Sequence, residues 1–218
     1  MIGRFGMSRK KRVWYPGATY HVMSRGNRRT KLYKDRSDHM RFLECIESCG
    51  EKYDFKIHSI CLMTNHFHMI LETGNDELWK IMQRILHPYS MDFNSKYNFT
   101  GHVFESRYTA VIIEDERYFL EASRYIHLNP VKAQMVREPL AYEYSSYGLF
   151  VNREDDCNKQ TKVSKLIEEL VDTDRVLDAF HNNSREQYRM FVEGKISHAE
   201  QELLIQKDMK EDDMWLPW

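Results

Sequence analysis

Two histidines, His66 and His68, are separated by a single residue inside the apolar stretch Ile60–Leu71. Side chains on a β-strand alternate between its two faces, so both imidazoles would point the same way while Phe67 points to the other face. Two imidazoles on one face of a strand can form one side of a metal site. The spacing is also compatible with ordinary surface or core histidines, so the interpretation depends on what else reaches them.

Tyr125 and Asn129 form a second candidate group, four residues apart in the string RYIHLNP, and would share one face of a helix. The carbonyl oxygen of an asparagine suits Mg²⁺ or Mn²⁺. A tyrosine phenol can act as a covalent nucleophile. Together with His66 and His68, Asn129 would complete a three-ligand open site at which Tyr125 attacks a phosphate. A Tyr and an Asn at this spacing also occur in helices for structural reasons alone.

The elements that must position these residues follow the order β-α-β-β-α-β-α. The last helix is expected to end near Asn129, because Pro130 disfavours helical backbone at the residue before it. This order predicts an α+β, ferredoxin-like split βαβ fold, an antiparallel sheet with helices on one face. The predicted elements are a strand over Ala18–Ser24, a helix over Asp38–Tyr53 with Ser37 or Asp38 as its N-cap, strands over Phe55–Met63 and Phe67–Glu72, a helix over Glu77–Lys96, a strand over Phe104–Glu114 and a helix over Asp115–Leu128.

Composition places the chain among globular proteins. Its 218 residues are 42% hydrophobic and 13% aromatic, enough for a packed core. No apolar run approaches the ~20 residues of a membrane span, and no hydrophobic signal segment follows the basic N-terminus, so we expect a cytoplasmic protein with no membrane partner. The cysteines show no disulfide-framework spacing and are expected to be reduced. We predict a basic arm (1–12), a main domain (13–150), a linker (151–162) and an acidic helical appendage (163–218).

Charge is distributed unevenly along the chain. Residues 1–41 contain 12 Lys and Arg against two Asp, a net charge of +10, whereas residues 42–150 carry −5 and residues 151–218 carry −6. A basic segment on an otherwise acidic chain indicates a polyanion partner. Trp and Tyr side chains are interleaved with the basic residues and could stack on unpaired bases, which favours single-stranded nucleic acid.

Four strings of the sequence together resemble the single-tyrosine transposases that carry an HUH signature (His, hydrophobe, His). The signature is in residues 61–70 (CLMTNHFHMI), and the tyrosine string is in residues 124–133 (RYIHLNPVKA). Residues 20–27 (YHVMSRGN) and 104–108 (FESRY) also match. The resemblance spans residues 13–148 and is greatest to the REP-associated tyrosine transposases of bacteria. Thr64 departs from it, since many relatives have Pro there.

The resemblance implies a metal-dependent enzyme that cuts single-stranded DNA beside a hairpin and rejoins strands. Cleavage would leave a 5′-phosphotyrosine on Tyr125 and a free 3′-OH. His66 and His68 would bind Mg²⁺ or Mn²⁺, and Asn129 would occupy the position of a third ligand. Location in the bacterial cytoplasm, at the nucleoid, would follow. The residues expected to contact DNA are Arg12, Arg25, Asn27, Arg28, Arg107 and Tyr108.

Two other functions remain open from the sequence. The first is a hairpin-DNA-binding regulator that keeps the fold but has lost the chemistry. The second is a zinc hydrolase that uses His66 and His68, with Cys61 nearby, and does not need Tyr125. The chain could act as a monomer or a homodimer, and its C-terminal appendage favours the monomer.

Overall fold

A four-stranded antiparallel sheet lies at the centre of the protein. The computed structural model describes residues 13–151 and 161–194. The strand order is β2-β3-β1-β4, which places the two strands that carry the histidine signature and the string YHVMSRGN next to each other in the middle. This confirms the predicted ferredoxin-like sheet. The strands are β1 (Thr19–Arg25), β2 (Phe55–Leu62), β3 (His66–Thr73) and β4 (Thr109–Ile112).

Helices α1 (Arg36–Gly50) and α2 (Leu78–Tyr97) cover one face of the sheet. The Phe67 ring of β3 packs 4.9 Å from that of Phe42 in α1, and Phe42 lies 5.2 Å from Tyr89 in α2, measured between ring centroids. Because Phe67 alternates with the histidines, this contact leaves the histidine face pointing away from both helices.

Helix α3 (Glu116–Lys132) covers the opposite face. Its Phe119 ring lies 5.3 Å from His58 of β2, and its Tyr125 ring lies 5.5 Å from His68 of β3. The prediction that the helices lie on one face of the sheet holds for α1 and α2. Helix α3 differs, because it lies on the other face. This placement is what brings the tyrosine to the histidines.

Helix α3 does not end near Asn129, which corrects the prediction. Asn129 and Pro130 both lie inside it, and the amide of Ala133 still donates to the Asn129 carbonyl at 2.9 Å. Proline removes one N–H donor, but so close to the helix end this costs a single backbone bond. The Asn129 side-chain amide also donates to the Tyr125 carbonyl at 2.8 Å, which ties down the last turn.

Two other boundaries differ from the prediction. The N-cap of α1 is Asp35 and not Ser37 or Asp38, because Asp35 accepts from the Asp38 amide and the Asp38 carboxylate accepts from the Asp35 amide in a capping box. Strand β4 begins at Thr109, so residues 104–108 form a loop and not the start of the strand.

The C-terminal helices pack directly on this core. The backbone amide of Asp172 donates to the Ile57 carbonyl at the β2 edge at 2.8 Å. Helix α5 (Lys162–Leu170) contacts α1, and helix α7 (Arg185–Glu193) contacts α3 and helix α4 (Tyr147–Val151). The predicted domain division stays a prediction; residues 1–12, 152–160 and 195–218 lie outside the described residues. Within the described ranges, no helix is long and apolar enough to cross a membrane. Helix α6 (Asp174–Leu177) lies between α5 and α7 in the chain.

Candidate active site

His66 and His68 lie on one face of β3, as the alternation predicts. Their ring centroids are 5.0 Å apart and the rings are almost perpendicular. His68 is only 3% exposed, while His66 is half-buried at the end of the strand. The cross-strand partners are Arg25 for His66 and Met23 for His68, so the open end of the pair faces the basic end of β1.

Tyr125 of α3 lies against this histidine pair. Its ring is 5.5 Å from the His68 ring and 5.9 Å from the His21 ring, edge-on to both. The Nζ atom of Lys132, at the end of the same helix, lies 4.7 Å from the centre of the Tyr125 ring. The structure thus places the candidate nucleophile and the candidate metal ligands side by side within one chain.

The Nδ1 atoms of both candidate ligands are already hydrogen-bonded. His68 Nδ1 is 3.1 Å from His21 Nε2, and His66 Nδ1 is 2.7 Å from the side-chain oxygen of Asn65. The Nε2 atoms are therefore the ring nitrogens with which these two residues would bind a metal ion. In metal sites, a partner on the other ring nitrogen commonly orients a histidine ligand. Sequence reasoning missed both partners, although His21 and Asn65 lie inside the matching strings.

Both imidazoles are electrically neutral near pH 7, the form that binds metals. Burial, and then the nearby charge of Arg25, lowers the pKa of His66 to about 4. Burial also holds the pKa of His68 well below its usual range, helped by the neighbouring His66 and His21.

Asn129 lies one helical turn beyond Tyr125 and is 8% exposed. Because its NH₂ group donates to the Tyr125 carbonyl, its side-chain oxygen is the atom that could act as a ligand. In residues 13–151 and 161–194, no group of three or more His, Cys, Asp or Glu side chains is arranged to hold a metal ion. A metal site at His66 and His68 would therefore need a third ligand of another type, and Asn129 is the candidate from the sequence.

Cys61 offers little support for the zinc alternative. It lies across from His68 in the β2–β3 pairing and is fully buried. Burial raises the pKa of its thiol well above the usual value, which favours the protonated form. Its Sγ atom lies 3.6 Å from the sulfur of Met63, so the thiol packs against another core side chain.

The candidate DNA-binding residues differ in exposure and in their contacts. Arg25 lies at the end of β1, 3.4 Å from Glu105, and Arg28 is exposed in the turn that follows. Asn27 supports that turn, because its amide donates to the His102 carbonyl at 3.1 Å. Arg107 is exposed in the loop before β4, and Arg12 lies outside the described residues.

Tyr108 departs from the prediction of a DNA contact. Its side chain is 7% exposed and belongs to the hydrophobic core. A ring buried in this way packs the loop onto the body of the protein and does not offer a face on which a base could stack.

A chain of buried hydrogen bonds holds α3 in place, and apart from the presence of His127 no sequence pattern predicts it. Burial lowers the pKa of His127 to about 3, so one ring nitrogen donates and the other accepts. Nε2 lies 2.9 Å from the Ser146 hydroxyl, which accepts from the Ile60 amide of β2. Nδ1 lies 2.7 Å from the Tyr188 hydroxyl of α7, which in turn contacts Ser123 of α3 at 2.7 Å.

Arg124, next to Tyr125 in the sequence, also helps to hold α3 in place. It is 4% exposed and donates to the Gly194 carbonyl at 2.7 Å and to the Val192 carbonyl at 3.3 Å. Its guanidinium carbon lies 5.1 Å from the centre of the Phe191 ring. This arginine fixes the end of α7 to the tyrosine helix.

A model of the family described as "Transposase IS200 like" matches residues 15–129, more than half of the chain. The chain belongs to this family. His66, His68, Tyr125 and Asn129 all fall within the matched range. Membership in the IS200-like transposases places the protein among DNA-processing enzymes.

Two known proteins are similar to this IS200-like transposase. A curated relative from Haemophilus influenzae, named a "putative REP-associated tyrosine transposase", is 27% identical over 161 residues, which cover 68% of this chain and 90% of the relative. A solved structure of a REP-associated tyrosine transposase bound to a REP hairpin aligns with a TM-score of 0.58 at 18% identity. It covers 72% of this chain and 90% of that one, which shows the shared fold. The resemblance to REP-associated tyrosine transposases is thus confirmed.

Proposed function

We propose that this protein is a metal-dependent single-stranded DNA endonuclease and strand transferase that acts at hairpin DNA through a covalent tyrosine. The observation that carries the proposal is the contact between Tyr125 and His68, whose rings are 5.5 Å apart in one chain. A phenol next to two neutral imidazoles suits nucleophilic attack on a phosphodiester that is held by a metal ion.

Three side-chain atoms would hold a divalent cation such as Mg²⁺ or Mn²⁺. They are Nε2 of His66, Nε2 of His68 and the side-chain oxygen of Asn129, and none of them is the atom committed to the hydrogen bonds described above. Three protein ligands leave coordination positions for phosphate oxygens. When bound, the ion would withdraw negative charge from the scissile phosphate.

Tyr125 would supply the nucleophile. Its phenolic oxygen forms a bond to phosphorus while the bond from phosphorus to the 3′ oxygen breaks, which gives a 5′-phosphotyrosine. The phenol loses its proton and the departing 3′ oxygen gains one, so the step is balanced. Strand joining is the reverse, with a 3′-OH as the attacking group. The Nζ atom of Lys132, 4.7 Å from the centre of the Tyr125 ring, makes a cation–π contact that helps to hold the ring in place for this step.

The DNA would approach from the basic end of β1. Arg25 and the exposed Arg28 lie at the end of the strand that pairs with His66, and Arg107 is exposed in a nearby loop. The similar structure that holds a REP hairpin supports hairpin DNA as the substrate. Because Tyr125 meets His68 of the same chain, we propose a site complete within a monomer, which size-exclusion chromatography with light scattering would test.

Incubation with a labelled single strand that contains a hairpin, in the presence of Mn²⁺, tests the proposal on a denaturing gel. We expect wild type to form a covalent adduct, Tyr125→Phe to form none while binding DNA as before, and His68→Ala to lose the adduct. Tyr118→Phe, on the same helix, is the matched control and should retain it.

The other outcomes identify the alternatives. DNA binding without any adduct across different hairpin substrates would contradict the enzymatic proposal and favour a binding regulator. Cleavage that survives in Tyr125→Phe would instead indicate a hydrolase that relies on the histidines alone.

A further inference from the structure

Asn65, directly before the candidate ligand His66, contacts two parts of the protein at once. Its side-chain oxygen lies 2.7 Å from Nδ1 of His66. Its side-chain nitrogen donates to the backbone carbonyl of Arg29 at 3.2 Å. One amide group therefore joins the histidine to the turn that follows β1.

The Arg29 carbonyl decides which way this amide faces. A backbone carbonyl can only accept, so the Asn65 atom next to it must be the NH₂ group. The side-chain oxygen then necessarily faces His66, and since this oxygen also only accepts, Nδ1 of His66 must carry the proton. In a neutral imidazole the other nitrogen, Nε2, is left with a lone pair for a metal ion.

The turn that provides the carbonyl has an unusual backbone. Arg28 and Arg29 have φ angles of 54° and 58°, in the left-handed region that costs most residues about 1–2 kcal/mol each. A Cβ atom at Gly26 would lie 2.2 Å from the Thr30 carbonyl oxygen, so only glycine fits there. Asn27 and Asn65 tether the turn through their bonds to the His102 and Arg29 carbonyls.

We propose that Asn65 is a positioning residue that sets the tautomer of His66, and that its own orientation is set by the carbonyl of Arg29 in the basic turn. The proposal rests on the proposed function, because the proton on Nδ1 matters through the metal that Nε2 would bind.

Two substitutions separate the roles of the amide. Asn65→Asp keeps an oxygen for His66 but turns a carboxylate toward the Arg29 carbonyl, so the tether to the turn is lost. Asn65→Ala removes both contacts. Asn94→Ala is a matched control, because Asn94 is equally half-buried and donates to a loop carbonyl, that of Gly101, at 3.0 Å.

Two measurements report the result. Long-range ¹H–¹⁵N NMR of the metal-free protein shows which ring nitrogen of His66 is protonated, and titration with Mn²⁺ alone, followed by the EPR signal of the free ion, gives affinity. We expect Asn65→Ala to lose the Nδ1–H tautomer and bind Mn²⁺ about 10- to 100-fold more weakly. Asn65→Asp should keep the tautomer and an affinity within about threefold of wild type, as should Asn94→Ala.

A wild-type tautomer and affinity in Asn65→Ala would overturn the role of Asn65, and so would an Asn65→Asp variant as weak as Asn65→Ala. His66→Ala distinguishes this failure from failure of the proposed function. If His66→Ala binds Mn²⁺ as tightly as wild type, the metal site itself is wrong and this proposal falls with it. If His66→Ala loses binding and Asn65→Ala does not, only the role of Asn65 is overturned.

Discussion

Tyr188→Phe tests whether helix α7 is an integral support of the tyrosine helix. The substitution removes one hydroxyl group and keeps the ring, which is fully buried. That hydroxyl lies 2.7 Å from Nδ1 of His127 and 2.7 Å from the hydroxyl of Ser123, both on α3 and both completely buried.

The expected cost comes from polar groups and not from lost packing. Loss of the bond to His127 leaves Nδ1 buried without its partner, which costs about 1–3 kcal/mol, and loss of the bond to Ser123 costs about 1 kcal/mol. Ser123 keeps its bond to Ser59 at 2.7 Å, so its penalty is smaller. We therefore expect the free energy of unfolding to fall by about 2–4 kcal/mol.

Urea unfolding followed by circular dichroism measures this change, with an unchanged m-value showing that the extent of unfolding is the same. Tyr15→Phe is the control: the Tyr15 side chain is 47% exposed, and its loss of a hydroxyl should shift stability by less than about 0.5 kcal/mol. A change below about 1 kcal/mol for Tyr188→Phe would refute the argument that this hydroxyl holds α3 and α7 together.

Two further predictions concern titrating groups. Burial raises the pKa of Asp38, but hydrogen bonds from Lys96 and Tyr97 outweigh it and lower the pKa overall. Its stabilising effect is therefore complete above the unfolded pKa of about 3.9 and is lost as the pH falls through the lower folded value. The difference in the free energy of unfolding between wild type and Asp38→Asn, measured by urea titration, should be constant from pH 6 to 5 and shrink toward pH 2. A difference that stays constant down to pH 2 would contradict this. In a Cys157→Ser variant, the remaining thiols of Cys45, Cys49 and Cys61 should react with a thiol reagent at pH 8 only after the protein unfolds. The reason is that burial raises the pKa of Cys45 to about 11 and of Cys49 to about 12, and also raises that of Cys61. Rapid labelling of the native variant would contradict that burial.

The sheet could be predicted from local pattern because strand periodicity is a local property. The ends of β2 and β3 lie within one residue of the predicted strands Phe55–Met63 and Phe67–Glu72. The shared face of His66 and His68 follows from the same period of two. Matching strings then pointed to Tyr125, and its contact with His68 agrees with that choice.

The rest depends on contacts between residues far apart in the chain. No local rule predicts that α3 continues through Pro130, since a side-chain bond from Asn129 to the Tyr125 carbonyl helps secure that turn. The buried role of His127 requires Tyr188, 61 residues later. Tyr108 is a candidate DNA contact because it lies in the matching string FESRY, and nothing in that string signals that its side chain is buried.

The central claim is that Tyr125 becomes covalently joined to the 5′ end of a cleaved strand. The most direct measurement is mass spectrometry of proteolysed protein after reaction with a hairpin-bearing single strand and Mn²⁺. The account predicts one modified peptide, with the nucleotide phosphate on Tyr125 and a free 3′-OH on the released strand. A nucleotide attached to any other residue, or cleavage with no attached nucleotide, would contradict it.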